Sequence, residues 1–455
     1  MSTQHSKAAQ QFLEKNRNAA WHDETFWSLR AKRDDMAKGL DEWEQLRDAA
    51  SAIKRHTVTH LDKYLEQFST NAEKNGVKVH WAKDADEFNS IVLSILKDHG
   101  VSKLVKSKSM LTEECEMNPY LEKHGIDVVE TDLGERILQL MHKKPCHIVV
   151  PAVHITQEEV GHLFEEKLGS EKGNYDPTYL TYQARLSLRN EFMNAGAGMT
   201  GANFGVAATG DVVVCTNEGN ADMSTSMPKL HIVAMGLEKV IPDYRSLAVF
   251  QRLLCRAATG QPTTSFTSHF RKARPGAEMH IVLVDNGRSD IIANPEHWET
   301  LKCIRCGSCM NTCPVYRRSG GYSYTYFIPG PIGINLGMLK NSTEYSDNVS
   351  ACTLCCSCDN VCPVKVNLSE QIYRWRQNLD SLGKADPMKK AMSQGMEYLF
   401  DHPALYNTAL KFAPLANHLP HALMYNKLNG WGFGHEMPEF PHESFQSMWK
   451  KGKVK

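Results

Sequence analysis

Cys303-Ile304-Arg305-Cys306-Gly307-Ser308-Cys309-Met310-Asn311-Thr312-Cys313-Pro314 and, further on, Cys352-Thr353-Leu354-Cys355-Cys356-Ser357-Cys358-Asp359-Asn360-Val361-Cys362-Pro363 are the two stretches that decide how this chain is built. Both read C-x2-C-x2-C-x3-C-P. A cubane of iron and sulfide needs four thiolates converging on its corners. Ligands at every third residue of one tight loop supply three. A fourth thiol follows three residues later, and the proline turns it away from its own loop toward a second cluster.

That run is the ligand pattern of bacterial-type ferredoxins, in which the fourth cysteine serves the partner cluster. Applied here, one 4Fe–4S cluster takes Cys303, Cys306, Cys309 and Cys362, and the other takes Cys313, Cys352, Cys355 and Cys358. Structural zinc is the competing reading, since two CxxC pairs can form a four-cysteine site. Zinc needs only four ligands, whereas two complete runs are present, each with its proline. Cys356 falls between ligands and is expected to be a buried, non-ligating thiol; it leaves the choice of ligands in the second run slightly open. The spacer between the runs contains Gly320-Gly321, Pro329-Gly330-Pro331 and a helix-like stretch at 334–340, and a helix at 371–382 leaves the second run. An α-helical ferredoxin domain over 296–384 follows.

Working outward, the pattern changes on either side. From 76 to 295, short β-branched runs alternate with helical ones. Residues 77–81 (VKVHW), 103–107 (KLVKS), 127–131 (DVVET), 147–151 (HIVVP), 211–216 (DVVVCT), 230–234 (LHIVA) and 280–284 (HIVLV) read as strands, and 87–97 (EFNSIVLSILK) as a helix. Such alternation predicts an α/β domain with a largely parallel sheet. Residues 1–75 place apolar side chains three and four apart between charges, as amphipathic helices do. The last stretch, 385–455, holds glycine, proline and aromatic residues at 429–434 and 438–441 that read as an irregular arm.

Several polar features of the α/β part carry two readings. Gly196-Ala197-Gly198-Met199-Thr200-Gly201 matches G-x-G-x-x-G, but a dinucleotide site needs a strand before the glycines and a helix after them. Here a helix-like segment precedes and a strand follows, so the glycines are expected to serve turns or close backbone approach. Lys106-Ser107-Lys108-Ser109 follows a strand and could cradle an anion or be a solvated loop. Glu218, in Thr216-Asn217-Glu218-Gly219-Asn220, is a candidate catalytic carboxylate or a capping residue. Glu218 and Lys106 are the weak catalytic candidates. His147 and His154 read as core or capping histidines, and Cys215 as a core thiol.

The whole-chain figures set outer limits. Lys plus Arg and Asp plus Glu both total 52 in 455 residues, which argues against a nucleic-acid binder. Nine of the 13 cysteines lie in the two runs, whereas a secreted disulfide scaffold would be short and spread them. The polar beginning MSTQHSKAAQQFLEKNRN lacks a secretory signal's apolar core, and no apolar run is long enough to span a bilayer. A cytoplasmic protein is the expectation, with a peripheral seat at a membrane compatible with the sequence.

The runs, together with 106–110 (KSKSM), 145–154 (PCHIVVPAVH), 201–220 (GANFGVAATGDVVVCTNEGN), 228–242 (PKLHIVAMGLEKVIP) and the Trp431/Pro438 arm, resemble the lactate utilization protein B family over essentially the whole chain. The resemblance implies a LUD domain, similar to the NagB/RpiA/CoA-transferase-like fold, joined to a two-cluster ferredoxin domain. It implies an electron-relay component of a system oxidising L-lactate to pyruvate. The implied partners are a cysteine-rich, heterodisulfide-reductase-like subunit and a smaller LUD-domain subunit, with a quinone-linked acceptor at the membrane. Two other roles stand beside that one: electron relay for another 2-hydroxy acid such as glycolate, and acid or thioester chemistry by the LUD domain itself.

Overall fold

The computed structural model describes residues 4–15, 18–384, 387–424 and 438–454. Ten strands are present: β1 (Lys78–Ala82), β2 (Lys103–Lys106), β3 (Asp127–Glu130), β4 (Ala197–Gly201), β5 (Phe204–Val206), β6 (Asp211–Thr216), β7 (Leu230–Gly236), β8 (Val240–Ile241), β9 (Phe266–Phe270) and β10 (Glu278–Val284). Six form a sheet in the order β1-β10-β7-β4-β2-β3, every pair parallel.

Helices cover both faces of that sheet, so its central strands are apolar on both sides. Along β7, Ile232 and Ala234 face Phe88, Val92 and Leu96 of helix Ala85–Asp98. Val233 and Met235 face Leu65, Phe68 and Ala72 of helix Leu61–Lys74. Strand β10 repeats the alternation, with Val282 and Val284 on the first side and Ile281 and Leu283 on the second. This is the two-residue period of a pleated strand.

A second sheet, β8-β5-β6-β9, mixes antiparallel β5–β6 and β6–β9 pairs with a parallel β5–β8 pair. Its residues Phe204, Val206 and Val213 share one continuous apolar core with three other regions. These are Phe250 and Leu253 of helix Tyr244–Ala258, Phe26, Trp43 and Ala50 of the N-terminal helices, and the cysteine region through Met310, Tyr316 and Ile332. Residues Ser2–Ser381 accordingly form one compact unit, and Leu382–Lys455 belong to another. The latter contains helices Pro387–Asp401 and Pro403–Phe412 with large apolar side chains exposed, among them Met388, Phe400 and Phe412. Residues 438–441 carry no regular element, as expected; residues 429–434 lie outside the described residues.

One expectation is corrected. Residues 147–151 are not a strand but part of an irregular loop. The His147 ring replaces the missing strand neighbour: its Nδ1 accepts from the N–H groups of Val149 and Val150, each at 3.0 Å, and its Nε2 meets Asn311 Oδ1 at 2.9 Å. The glycine-rich motif at 196–201 serves close backbone approach, one of the two roles expected for it: Ala197–Gly201 is strand β4 itself, in the interior of the sheet. Gly198 lets helix Asn220–Ser226 lie against that strand: a Cβ there would stand 1.6 Å from the Ser224 carbonyl oxygen.

Gly198→Ala is therefore expected to lower stability by about 1–3 kcal/mol. Gly395→Ala, where the added methyl meets nothing within 4 Å, is the control. Thermal unfolding of the two variants checks this, with only the first midpoint falling.

Candidate functional site

The two cysteine runs adopt the same backbone. In each, the residue two after the first cysteine is left-handed, Arg305 at φ 59° and Leu354 at φ 53°. Its N–H points back at that cysteine's sulfur: Arg305 N to Cys303 Sγ is 3.4 Å, and Leu354 N to Cys352 Sγ is 3.3 Å. Two residues later the chain is left-handed again, at Gly307 (φ 80°) and Cys356 (φ 57°), and a one-turn helix follows carrying the third cysteine. Cys356 thus occupies the place glycine holds in the first run. It is exposed, not buried as expected, and Ser369 Oγ donates to its sulfur at 3.4 Å.

The thiols fall into two neighbourhoods. Cys306 feels Cys362 and Cys303 electrostatically, and Cys362 feels Cys303. Cys313 feels Cys352 and Cys355, and Cys358 feels Cys313, Cys352 and Cys355. Cys309 neighbours Cys303, Cys306 and Cys362 and also reaches Cys358 of the other set. Cys303, Cys306, Cys309 and Cys362 line one small cavity whose other walls include Ile304, Ile332, Val364 and Val366. Burial pushes the Cys313 and Cys362 thiols up to about 11. Four thiolates in such a dry enclosure require a bound cation's charge, so the donor set fits a 4Fe–4S cluster.

Buried cations from the N-terminal helices hold the second run in place. Arg47 Nε donates to the Cys362 carbonyl at 2.9 Å and its Nη2 to that of Asp359 at 3.1 Å. Arg33 Nη2 donates to Val361 O at 3.3 Å. From the segment just before the first run, Lys302 Nζ donates to Lys365 O at 3.0 Å.

A larger cavity, about 360 Å³, opens beside the first run. Its walls come from the segments after β2 (Ser107, Lys108), β3 (Asp132), β4 (Asn203), β6 (Glu218) and β7 (Lys239), and from Arg305 and Cys306. Ligands of open parallel sheets bind at these carboxyl ends of the strands. Glu218 lies in this cavity wall and also has a capping role, accepting the Leu133 N–H at 3.2 Å. Burial, and then the Asp132 carboxylate, push its carboxyl up to about 7.

Lys106 is placed elsewhere. It is fully buried outside the cavity lining, 2.8 Å from Glu130, 3.4 Å from Glu113 and 3.0 Å from Thr112 Oγ1. Glu130, Glu135 and Glu113 hold its ammonium charged against the opposing effect of burial, while burial pushes the Glu135 carboxyl well up. Such a group is an internal ion-pair partner. Sequence reasoning gave no role to Lys239 or Arg305, which line the cavity. The available signals were their positions, one just past a strand and the other between two cysteines.

Two family models match the chain: the LUD domain over residues 65–291 and the 4Fe-4S dicluster domain over residues 299–366. The "Uncharacterized electron transport protein YkgF" of Escherichia coli (strain K12) is 38% identical over 433 residues, 92% of this chain and 91% of that one. Lactate utilization protein B of Geobacillus thermodenitrificans (strain NG80-2) is 41% identical over 394 residues, covering 85% and 82%. The protein of that name from Oceanobacillus iheyensis is 39% identical over 436 residues, covering 93% and 91%. The chain belongs to the lactate utilization protein B family. Its cofactors are two 4Fe–4S clusters, in keeping with the dicluster match and the double run. No helix among the described residues is long and apolar enough to cross a membrane.

Two outcomes are expected from these geometries. Lys106→Met strands the buried Glu130 carboxylate and should cost about 3–5 kcal/mol, read as a lowered unfolding midpoint. Glu218 has a folded-state value near 7 against an ordinary 4.5, so the folded state holds its proton more tightly than the unfolded one. The penalty for charging it grows as pH rises through that window and is complete above it. Glu218→Gln should raise the midpoint at pH 8 and change it little at pH 5.

Proposed function

We propose that this chain is the iron–sulfur electron-transfer component of a multi-subunit system that oxidises L-lactate. The observation that carries the reading is the double C-x2-C-x2-C-x3-C-P run, with Cys303, Cys306, Cys309 and Cys362 lining one enclosed cavity. Cys303, Cys306, Cys309 and Cys362 hold one cluster; Cys313, Cys352, Cys355 and Cys358 hold the other. The printed names of the relatives, an electron transport protein and lactate utilization proteins B, supply the process.

Bound clusters supply one-electron redox chemistry. The chain's own residues do the rest: apolar walls exclude water from the first set, N–H groups aimed at sulfur stabilise the added negative charge, and arginines fix the loops. The first set is enclosed beside the α/β cavity, whereas Cys355 of the second is exposed. Electrons exchanged with a partner subunit therefore use the second set. The partners are a cysteine-rich, heterodisulfide-reductase-like subunit and a smaller LUD-domain subunit, and a quinone-linked acceptor takes the electrons onward.

Anaerobic purification should yield about eight iron and eight sulfide per chain, with spin-coupled EPR after dithionite reduction. Zinc without labile sulfide would refute the reading. Cys362→Ala should destroy the cluster fed mainly by the first run and Cys313→Ala the cluster fed mainly by the second. Cys356→Ser should keep the full iron content.

A further inference from the structure

The 360 Å³ cavity falls in the size range of small-molecule sites, which combine apolar walls with a few placed polar groups. Its polar groups are unevenly satisfied. Arg288 is fully engaged: it meets Glu114 at 3.0 Å and also pairs with Glu238. Lys108 stands 3.8 Å from Asp132 and donates to Val149 O at 2.6 Å. Three donors on the wall are left over. The Arg305 guanidinium makes no hydrogen bond or ion pair among the described residues, and its Nη1 is buried. The Lys239 ammonium, with Glu238, Arg305 and Cys303 as charged surroundings, likewise makes neither. Ser107 is only 4% exposed, and its Oγ has no partner.

Arg305 Nη1 and Ser107 Oγ are buried and unpaired, which is costly unless a ligand satisfies them. Charge then selects the ligand. Glu114 and Glu238 outweigh Arg288 by one, and Lys108 balances Asp132. With Glu218 protonated, the two free cations leave the lining, the cluster ligand Cys306 apart, with one positive charge. That balance suits a monoanion, and an arginine fork suits a carboxylate. We propose that this cavity binds the carboxylate of a small organic acid, held by Lys239 and Arg305 with Ser107 as a further donor, and that the bound acid is electrostatically coupled to the first cluster. Arg305 lies between Cys303 and Cys306, and Cys303 is among the charged surroundings of Lys239. An anion on these two cations cancels positive charge beside the cluster and lowers its potential. By linkage, reduction of the cluster weakens the acid by the same factor. Glu218, facing Asp132 and Lys108, repels the anion once it ionises, so binding tightens as pH falls from 8 to 6.

The site stands on the cavity's geometry; only the choice of L-lactate and pyruvate as probes rests on the proposed function. The test is calorimetric titration of the anaerobic, cluster-loaded full chain with L-lactate, pyruvate and inorganic phosphate. At least one of the acids should bind one per chain, more tightly than phosphate, and at least tenfold more weakly in Lys239→Met with cluster EPR unchanged. Saturating acid should lower the midpoint of one cluster in a redox titration, a tenfold redox preference corresponding to about 59 mV. Where Lys239→Met fails to fold, Ser107→Ala decides, with an expected loss of about three- to tenfold. No binding of either acid, tighter binding of phosphate, or unchanged affinity in the variant that decides overturns the proposal. A dithionite-reducible cluster signal without acid binding would remove this site and leave the relay intact; acid binding to a chain that holds zinc would do the reverse.

Discussion

Cys303, Cys306 and Cys309 of the first loop share one enclosure with Cys362 of the second, and much of the structure serves that constraint. It requires the one-turn helices Ser308–Thr312 and Ser357–Val361 to lie side by side. Thr312 and Ser357 share a hydrogen bond between them. The N-terminal helices are far away in sequence, yet they set this distance by gripping the second run's carbonyls with Arg33 and Arg47. The spacer from 315 to 351 is long because it supplies a wall. Gly330–Lys340 is buried along nearly its whole length and contributes Ile332 to the enclosure.

What was readable in the sequence followed from how locally each feature is encoded. Ligand spacing is set within a dozen residues, so the cysteine runs and their twofold occurrence were plain. Strands β7 and β10, buried on both faces, announced themselves as apolar runs. Strand β4 did not, because its glycines are needed for the close approach of Ser224 and leave no apolar signature. The loop at 147–151 misled for the opposite reason: an Ile-Val-Val run looks like a strand wherever no side chain shows that it will take the backbone N–H groups, as His147 does. Cys356 was expected inside because cysteine usually is, but the left-handed position it fills faces outward. The role of Lys106 and the free state of Lys239 were invisible for a deeper reason. Whether a charge is paired depends on groups brought in from other elements, Glu130 and Glu135 in one case and, among the described residues, the lack of any partner in the other.

The charge distribution separates the two cysteine sets. Arg33 acts on Cys306, Arg47 and Lys302 sit against Cys362, and Lys54 and Lys239 neighbour Cys303. Around the second set, Arg376 acts on Cys352 while Asp359 opposes it there and at Cys358. Positive surroundings favour the more negative, reduced state of an iron–sulfur centre. Under the proposed ligation, that would make the enclosed set the better electron store and the exposed one the better exchange point.

The exchange of a single thiol between the two loops also bears on how such a chain comes into being and how it fails. Under the proposed crossed ligation, iron delivery would belong to the folding of the second half of the chain, since neither cubane could close until both loops had met. Damage follows the same path in reverse. Oxygen that dismantles one cluster would loosen the loop that lent it a thiol.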